Sequence, residues 1–490
     1  MIQEGLGKIA DWWIPITPGS DGALALAILK MIISSGRYDH EFVEKYTRGF
    51  EEFKAYLDTQ TMEQLSKWCG ISVTDIEKLT DIFCSTAKIP LVAYTGLEYQ
   101  LSAIQNNRAI FVLWAITGKL DAPGAIYLNA KGLETPKLFE IPEDDKPIGV
   151  DEFPLFYKFS GQGQFSRFPK AVLEDEPYPV RGLMILGGSP VLSFPDSKSW
   201  REAYKKLDCL IVLDRYFTED ARYADVVFPA CSLFEVPKAV PGPEGPHIVE
   251  PLIEPVGESK NDVLIMGAIA KKLGFGDKLP QTEEELRSWL LSGTAPYAGD
   301  FGTSADQKKE KHYKKYETGE LRADGKPGFP TPSGKLEICS TILEENGFVP
   351  YPEYKDVRSI PELAGKEYPF TMTSGARSNN RMGVFGANLD KIAEIEPYPF
   401  VDINAEDAKE IGIEDGDMVK VITPFADGTF KAKIRGIARH AIHIPHGGGS
   451  AYMAEPWKNG NVNDLCSLDY ADPMTGFVLI KSVPCRVEKV

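Results

Sequence analysis

Three short apolar segments between residues 182 and 228 constrain the fold of this chain most strongly. Gly182–Leu186, Leu210–Leu213 and Val226–Phe228 are continuously apolar and lack the alternation of a half-buried strand. Strands of this kind are typical of a parallel sheet that is covered on both faces. The sequence therefore predicts an α/β domain around these three segments.

A second architecture begins near residue 368. From there on, short strand-like segments alternate with glycine turns, which indicates a β-barrel or sandwich. The predicted strands are Phe370–Thr373, Met418–Ile422, Thr429–Ile434 and Ala441–Ile444. A chain of 490 residues also exceeds the usual size of one domain. We predict an α/β domain at 1–130, a second α/β domain at 131–360 and a β-rich domain at 366–490.

The first of these domains is expected to combine helices with one buried strand. An apolar helix follows the turn at 18–22, and a second helix runs through Arg108 to Ile116. Between them, Ile89–Tyr94 is a short apolar run that ends at Thr95 and Gly96, which predicts a buried strand.

Charge and composition exclude several classes of function. The chain has 54 basic and 71 acidic residues, a net charge of −17, and no basic stripe. Nucleic acid and anionic membrane surfaces are therefore not expected as partners. No apolar run reaches the ~20 residues that a membrane span needs. The seven cysteines form no C-x-x-C pair, so no zinc or iron–sulfur motif is expected; they favour a reducing compartment, the cytoplasm.

The ends of the predicted strands carry the candidate binding residues. Gly188 and Ser189 follow the first strand, where backbone N–H groups can approach a phosphate, although a turn there needs glycine in any case. Asp214 ends the second strand and can accept hydrogen bonds from a ribose or a guanine. Thr218 is either a binding residue or a helix N-cap, and Asp225 precedes the third strand.

Several longer segments then show a specific resemblance. The stretches ILGGSPVLSFPDS and LDRYFTEDARYADVVFPACSLFE resemble the dimethyl sulfoxide reductase superfamily of molybdopterin enzymes. So do ADWWIPITPGSDGALALAIL, TPSGKLEICS, TSGARSNNR, PYPFVDINAEDAKEIGIEDGDMVKVITPFADG and NVNDL, in the family's order. The resemblance implies dinucleotide-binding α/β domains with mostly parallel sheets, followed by a six-stranded double-psi β-barrel.

The resemblance also implies a cofactor, a bis-molybdopterin guanine dinucleotide with molybdenum or tungsten. Its implied binding residues fall in three groups: Gly188, Ser189, Asp214, Thr218 and Asp225 for one dinucleotide; Ser20, Asp21 and Gly96 for the other; and Thr373, Gly375, Arg377, Asn463 and Lys481 for the pterins and phosphates.

Each of these residues also has a structural interpretation. Asp21 can cap the helix that follows it, and Asn463 can stabilise a turn. Arg377 can pair with a surface carboxylate, and Lys481 can be a solvated lysine. His446, before three glycines, is the candidate catalytic acid or base, but a loop histidine is often structural.

The resemblance further implies that this chain is the C-terminal two-thirds of a catalytic subunit. Relatives begin with an iron–sulfur domain and a metal ligand that is a cysteine, selenocysteine, serine or aspartate. No metal ligand is therefore expected from this chain. Its expected partners are an N-terminal domain or separate chain and an iron–sulfur electron-transfer subunit, and it is expected to expose apolar surface and to be poorly soluble alone.

The expected function is a two-electron oxidoreductase reaction at the metal, with oxygen- or sulfur-atom transfer as one form. Two alternatives stay open: a non-redox hydratase or transhydroxylase on the same cofactor, and a non-catalytic scaffold subunit of a respiratory-type complex. The retained GGSP, TED, TSGAR and NVN segments argue against a scaffold, which has no need of cofactor-contacting turns.

Overall fold

The computed structural model describes residues 3, 6–128, 146–240, 246–292, 311–375, 389–455 and 457–490, with Ala393 described by its backbone alone. Arg377, one of the predicted binding residues, lies outside these ranges.

Residues 6–128 form a helical layer around one central helix, α2. Its sequence, DGALALAILKMIIS, is apolar on nearly all sides, which is typical of a helix surrounded by others. It packs against α4 to α7. The elements of this region are α1 (Leu6–Ile9), α2 (Asp21–Ser34), α3 (His40–Tyr46), β1 (Thr47–Arg48), α4 (Phe50–Thr59), α5 (Met62–Cys69), α6 (Val73–Ser85) and α7 (Ala103–Ile116).

The prediction of a buried strand at Ile89–Tyr94 is wrong. These residues are irregular, and the side chains of Val92 and Tyr94 are 88% and 82% exposed. An apolar run becomes a strand only where a neighbouring strand can pair with its backbone, and within the described residues none lies beside this segment.

The middle of the chain contains the predicted parallel sheet. Its strands pair in parallel in the order β2–β3–β4, as their apolar sequences predicted. Trp200 is fully buried in the core on one face of this sheet. The two outer strands are less covered than expected, since Leu186 and Val226 are 42% and 41% exposed.

Short helices and paired strands complete this middle region. Strands β5 and β6 form an antiparallel pair, and β7 pairs in parallel with β1. The strands are β2 (Gly182–Leu186), β3 (Cys209–Asp214), β4 (Val226–Pro229), β5 (Lys238–Val240), β6 (His247–Val249) and β7 (Leu336–Glu337). The helices are α8 (Pro154–Ser160), α9 (Phe168–Glu174), α10 (Pro190–Ser193), α11 (Ser197–Lys206), α12 (Asp262–Lys272), α13 (Glu283–Leu291), α14 (Lys315–Thr318) and α15 (Thr341–Glu345).

A closed six-stranded barrel forms the C-terminal region, as predicted. Its strands close in the order β10–β11–β9–β12–β8–β13. Val357 and Leu363 pack into its core, so the core extends before the predicted start at residue 366. The elements are β8 (Phe370–Gly375), α16 (Asp390–Ile395), β9 (Phe400–Asn404), α17 (Ala405–Glu410), β10 (Met418–Ile422), β11 (Asp427–Arg435), β12 (Ala441–Pro445) and β13 (Val483–Lys489).

The barrel contacts both preceding regions, and these contacts position the candidate sites. Asp472 accepts a hydrogen bond from the backbone N–H of Ile104 at the start of α7 (3.3 Å). The amide of Asn463 donates to the carbonyl oxygen of Leu192 in α10 (2.7 Å). In the described part of the chain, no helix combines the length and hydropathy that crossing a membrane requires.

Candidate functional site

The carboxyl edge of the parallel sheet brings together several of the predicted residues. Gly187 adopts a φ of +59° and donates its N–H to the carbonyl oxygen of Leu213 (2.9 Å), so the turn after β2 folds over the end of β3. Ser189 and Asp214 are both buried beside this turn. Gly188, Ser189 and Asp214 therefore share one edge of the sheet, as a nucleotide-binding edge requires.

A buried carboxylate that the sequence analysis missed holds this turn in place. Asp220 is fully buried and accepts hydrogen bonds from the Ser189 hydroxyl, from the Tyr204 hydroxyl (2.7 Å) and from the Val191 N–H (3.1 Å). Burial raises the pKa of Asp220, and the three donors oppose that rise. The only sequence signal was its place in the TED segment, two residues after Thr218.

Replacing this carboxylate tests its role in holding the turn. We expect Asp220→Asn to lower the free energy of unfolding by about 1–3 kcal/mol, because asparagine keeps only one of the two oxygen atoms that accept from these buried donors. Urea unfolding followed by circular dichroism measures the change. Asp208→Asn is the control, since Asp208 is exposed. Equal stability of Asp220→Asn and the parent chain would show that Asp220 does not hold the turn.

A second carboxyl group lies near the sheet edge. Asp262 begins α12. Burial is the main cause that raises its pKa, the negative charge of Asp214 raises it further, and the positive charge of Arg215 lowers it. Two carboxyl groups at one strand edge are suited to accept hydrogen bonds from the N–H groups of a purine.

Thr218 and Asp225 make local contacts instead. The Thr218 hydroxyl accepts from the N–H of Ala221 (3.3 Å), within the turn that follows β3. The Asp225 carboxylate accepts from the N–H of Leu210 (2.7 Å) at the amino ends of the strands. The structure thus places Asp225 at the sheet edge opposite to Ser189 and does not bring it to the site.

The barrel contributes two asparagines beside the turn that follows Ser189. Asn463 is bonded to Leu192, but its Oδ1 atom and the Nδ2 atom of Asn461 are buried without a hydrogen-bond partner among the described residues. Gly449 packs closely against Asn461, since a Cβ on Gly449 would stand 2.8 Å from the Asn461 Cβ. We call Gly188, Ser189, Asp214, Asn461 and Asn463 together the sheet-edge site.

A second site is a cavity of about 720 Å³ between the start of α2 and the barrel. We call it the barrel pocket. Ligand-binding cavities usually have volumes of roughly 300–1,000 Å³. Four of the predicted residues line it, namely Asp21, Gly96, Thr373 and Lys481. Residues 91–94 line it too, and 92–94 among them are exposed.

Lys481 lies on the barrel side of this pocket, and Gly375 lies beside it. The Lys481 ammonium donates to the carbonyl oxygen of Ser374 (2.5 Å), and burial lowers the pKa of Lys481. Gly375 has a φ of +101°, and a Cβ on it would stand 2.1 Å from the Lys481 Nζ atom. The half-buried His446 is adjacent, with its Nε2 3.5 Å from the same Cβ position. Only glycine fits at residue 375 without displacing the lysine.

The opposite side of the pocket is a polar network at the start of α2. Burial raises the pKa of Asp21, and a hydrogen bond with Gln100 acts against that rise. Gln100 donates to the carbonyl oxygen of Gly96 (2.7 Å) and accepts from Asn106 (2.8 Å). Gln100 and Asn106 were missed by the sequence analysis; the signal was their polar character beside an apolar helix. Ser20 instead donates to the carbonyl oxygen of Thr17 (2.7 Å).

Both sites fit a long polar cofactor. Unsatisfied buried polar atoms cost about 1–3 kcal/mol each, so the partnerless Asn461 and Asn463 atoms favour a ligand that supplies hydrogen bonds. The barrel pocket offers an ammonium on one wall and a carboxyl on the other, which matches a ring system that carries both carbonyl oxygens and N–H groups. Among the described residues, no cluster of histidine, cysteine and carboxylate side chains could hold a metal.

Comparison with known proteins gives two family matches for this chain. Residues 4–272 match the family described as molybdopterin oxidoreductase, and residues 371–484 match the molydopterin dinucleotide binding domain. The probable oxidoreductase YoaE of Bacillus subtilis is 29% identical over 85% of this chain, and acetylene hydratase of Syntrophotalea acetylenica is 26% identical over 90%. The F420-dependent formate dehydrogenase subunit alpha of Methanocaldococcus jannaschii is 28% identical over 89%.

The chain spans 59% of the length of YoaE and 65% of each of the other two relatives. Among solved structures, acetylene hydratase from Pelobacter acetylenicus matches all of this chain with a TM-score of 0.82 and 22% identity, and the match covers 73% of that protein. This likeness shows a shared fold. The family match covers more than half of the chain and, with the barrel, shows that this protein belongs to the molybdopterin oxidoreductase family.

Proposed function

We propose that this chain is part of the catalytic subunit of a molybdenum- or tungsten-dependent oxidoreductase and binds two molybdopterin guanine dinucleotides. The observation that carries the proposal is the pairing of two sites on one barrel. The sheet-edge site and the barrel pocket each join a barrel residue, Asn463 or Lys481, to a polar turn of the preceding regions.

The residues of the two sites have distinct parts in this proposal. Gly188, Ser189 and Asp214 would hold the first dinucleotide with Asn463, and Asp21 and Gly96 would hold the second with Thr373, Gly375 and Lys481. The bound metal and its pterins supply two-electron redox chemistry. The protein supplies hydrogen bonds, orientation and charge, with the Lys481 ammonium facing oxygen atoms and Asp21 facing N–H groups of the cofactor.

His446 is our candidate for proton transfer. It lies beside Gly375 and is half-buried. Imidazole is the side chain best suited to exchange a proton near neutral pH. Arg377, in the segment that follows Gly375, keeps its proposed role in phosphate or pterin binding.

A non-redox reaction on the same cofactor is the alternative. Relatives of similar identity carry both kinds of name, a formate dehydrogenase at 28% and acetylene hydratase at 26%. A scaffold role is disfavoured by the polar atoms left without partners at the sheet-edge site, because a scaffold has no ligand to satisfy them.

We further propose that a partner region contributes to the active protein. The relatives are longer than this chain, and Val92 and Tyr94 leave an apolar segment exposed beside the barrel pocket. Large exposed apolar groups mark interaction surfaces. The proposed partner region holds an iron–sulfur cluster and the protein ligand of the metal, and a separate iron–sulfur subunit exchanges the electrons. Reducing conditions, as in the cytoplasm, suit the free cysteines.

Purification from the native organism through a C-terminal affinity tag tests this proposal. We expect the purified protein to contain an additional polypeptide region, in the same chain or a second one, that carries iron. We also expect it to reduce or oxidise an artificial viologen dye as it turns over substrate. Turnover without any dye reaction would support the hydratase alternative. A folded protein without iron, molybdenum or tungsten would contradict the proposal.

A further inference from the structure

The outer wall of the barrel carries a row of polar side chains that the proposal above leaves unexplained. Strand registers place Thr373, His443 and Asp402 side by side on β8, β12 and β9. Their neighbours along each strand lie in the barrel core, so these three side chains point out of it. Thr373 and His443 line the barrel pocket.

His443 is buried, and both of its ring nitrogens face hydrogen-bond acceptors. Nδ1 lies 2.9 Å from the Asp402 Oδ2 atom, and Nε2 lies 3.1 Å from the carbonyl oxygen of Gly375. A carbonyl oxygen and an ionised carboxylate accept hydrogen bonds but do not donate them. Both contacts are hydrogen bonds only when each ring nitrogen carries a proton, which makes the ring a cation.

Asp402 has a second charged neighbour. The side chain of Asp402 is fully buried, and its Oδ1 atom lies 3.2 Å from the Nε atom of Arg435. Arginine keeps its charge under all ordinary conditions. The Oδ1 atom accepts no hydrogen bond within the described residues, so the contact with Arg435 is an ion pair alone. A buried carboxylate is stable as an anion only when it is paired, and Arg435 supplies that pairing. With a protonated ring, this group of three would carry one net positive charge, which His443 would bring to the pocket.

The other charged groups around the pocket complete the electrostatic picture. Lys481 approaches from the segment before β13, and Asp21 from the start of α2. Lys433 stands next to Asp402 in the strand register, but its ammonium lies over the Phe400 ring, 4.4 Å from the centroid. With the His443 ring protonated, the barrel wall would present two cations, Lys481 and His443, to a pocket whose far wall carries one carboxyl group.

We propose that His443 is a positioning residue of the barrel pocket, kept cationic by Asp402 and the carbonyl oxygen of Gly375. The ring fixes the carbonyl oxygen of Gly375 and adds a positive charge beside Lys481 for an anionic ligand. It acts through this carbonyl group and through its charge, because both of its N–H groups are already used. The ligand's identity as a pterin dinucleotide rests on the proposed function; the charge of the ring does not.

Nitrogen-15 NMR of the full chain with labelled histidine tests the charge. The chain has six histidines, and the resonances absent from His443→Gln identify His443. At neutral pH we expect both of its ring nitrogens to show the chemical shift of a protonated nitrogen. In Asp402→Asn one of them should move to the shift of an unprotonated nitrogen. If His443→Gln does not fold, Arg435→Gln, whose side chain is 27% exposed in the parent chain, should perturb the same resonances. A neutral ring in the parent chain overturns the proposal.

Pterin content per natively purified chain, read by fluorescence after oxidative release, tests the positioning role. We expect about tenfold less pterin in Asp402→Asn, the loss of one charge-assisted interaction. His440→Gln is the matched control, because the His440 side chain is 63% exposed, and it should retain the parent content. A cationic ring with unchanged pterin content in Asp402→Asn overturns the positioning role and leaves the proposed function standing. A parent chain without pterin overturns both, whatever the ring's charge.

Discussion

Gly375→Ala is expected to reduce the pterin content of the purified protein by about tenfold or more. Residue 375 has a φ of +101°, and the new methyl group would stand 2.1 Å from the Lys481 ammonium nitrogen. The lysine would have to leave the carbonyl oxygen of Ser374 and with it its position on the pocket wall. Released pterin, measured by fluorescence and divided by protein concentration, gives the result.

Gly412→Ala separates this effect from backbone strain. Gly412 also has a positive φ, +70°, but a Cβ on it would meet nothing within 4 Å. Both alanine variants should therefore lose about 1–3 kcal/mol of stability through backbone strain, but Gly412→Ala should keep a normal pterin content. If both alanine variants retain the cofactor equally, Lys481 does not contribute to binding in the way that we infer.

Lys315→Met is expected to lower the free energy of unfolding by about 3–5 kcal/mol. The Lys315 ammonium lies 2.5 Å from the Asp121 carboxylate, and the two side chains are 2% and 0% exposed. Removing the lysine leaves a buried negative charge, which is the costly part of the change. Urea unfolding monitored by tryptophan fluorescence measures it.

A second substitution tests that explanation. Adding Asp121→Asn to Lys315→Met removes the unpaired charge and should restore part of the lost stability; asparagine also tolerates the φ of +51° at this position. Lys314→Met is the control, because its ion pair with Glu317 is largely exposed and contributes about 0–1 kcal/mol. A double variant less stable than Lys315→Met would contradict a dominant charge effect.

Local apolar patterns predicted most strands correctly and failed at one. Gly182–Leu186 and Met418–Ile422 lie where the sequence placed them, because each finds a neighbouring strand. Ile89–Tyr94 has the same apolar character but no such neighbour in the described part of the chain, and it is irregular. The pattern reports a tendency to be buried, and the partner that allows burial is not encoded in the segment itself.

The site was predictable where a residue follows a strand and not where it depends on a distant partner. Ser189 follows the first predicted strand, and Asp214 ends the second. The parallel pairing of the two strands therefore brings these residues to the same edge of the sheet. Asp402 and His443 are 41 residues apart and meet only through the antiparallel register of β9 and β12. Asp225 precedes its strand, and it therefore lies at the amino ends of the strands, away from Ser189.

The central claim is that this chain binds two molybdopterin guanine dinucleotides through the sheet-edge site and the barrel pocket. The most direct test is the ratio of GMP, released by acid hydrolysis, to molybdenum plus tungsten in the natively purified protein. Our account predicts two GMP for each metal atom, with less GMP in Gly375→Ala. A folded protein that releases no guanine nucleotide and carries neither metal would contradict it.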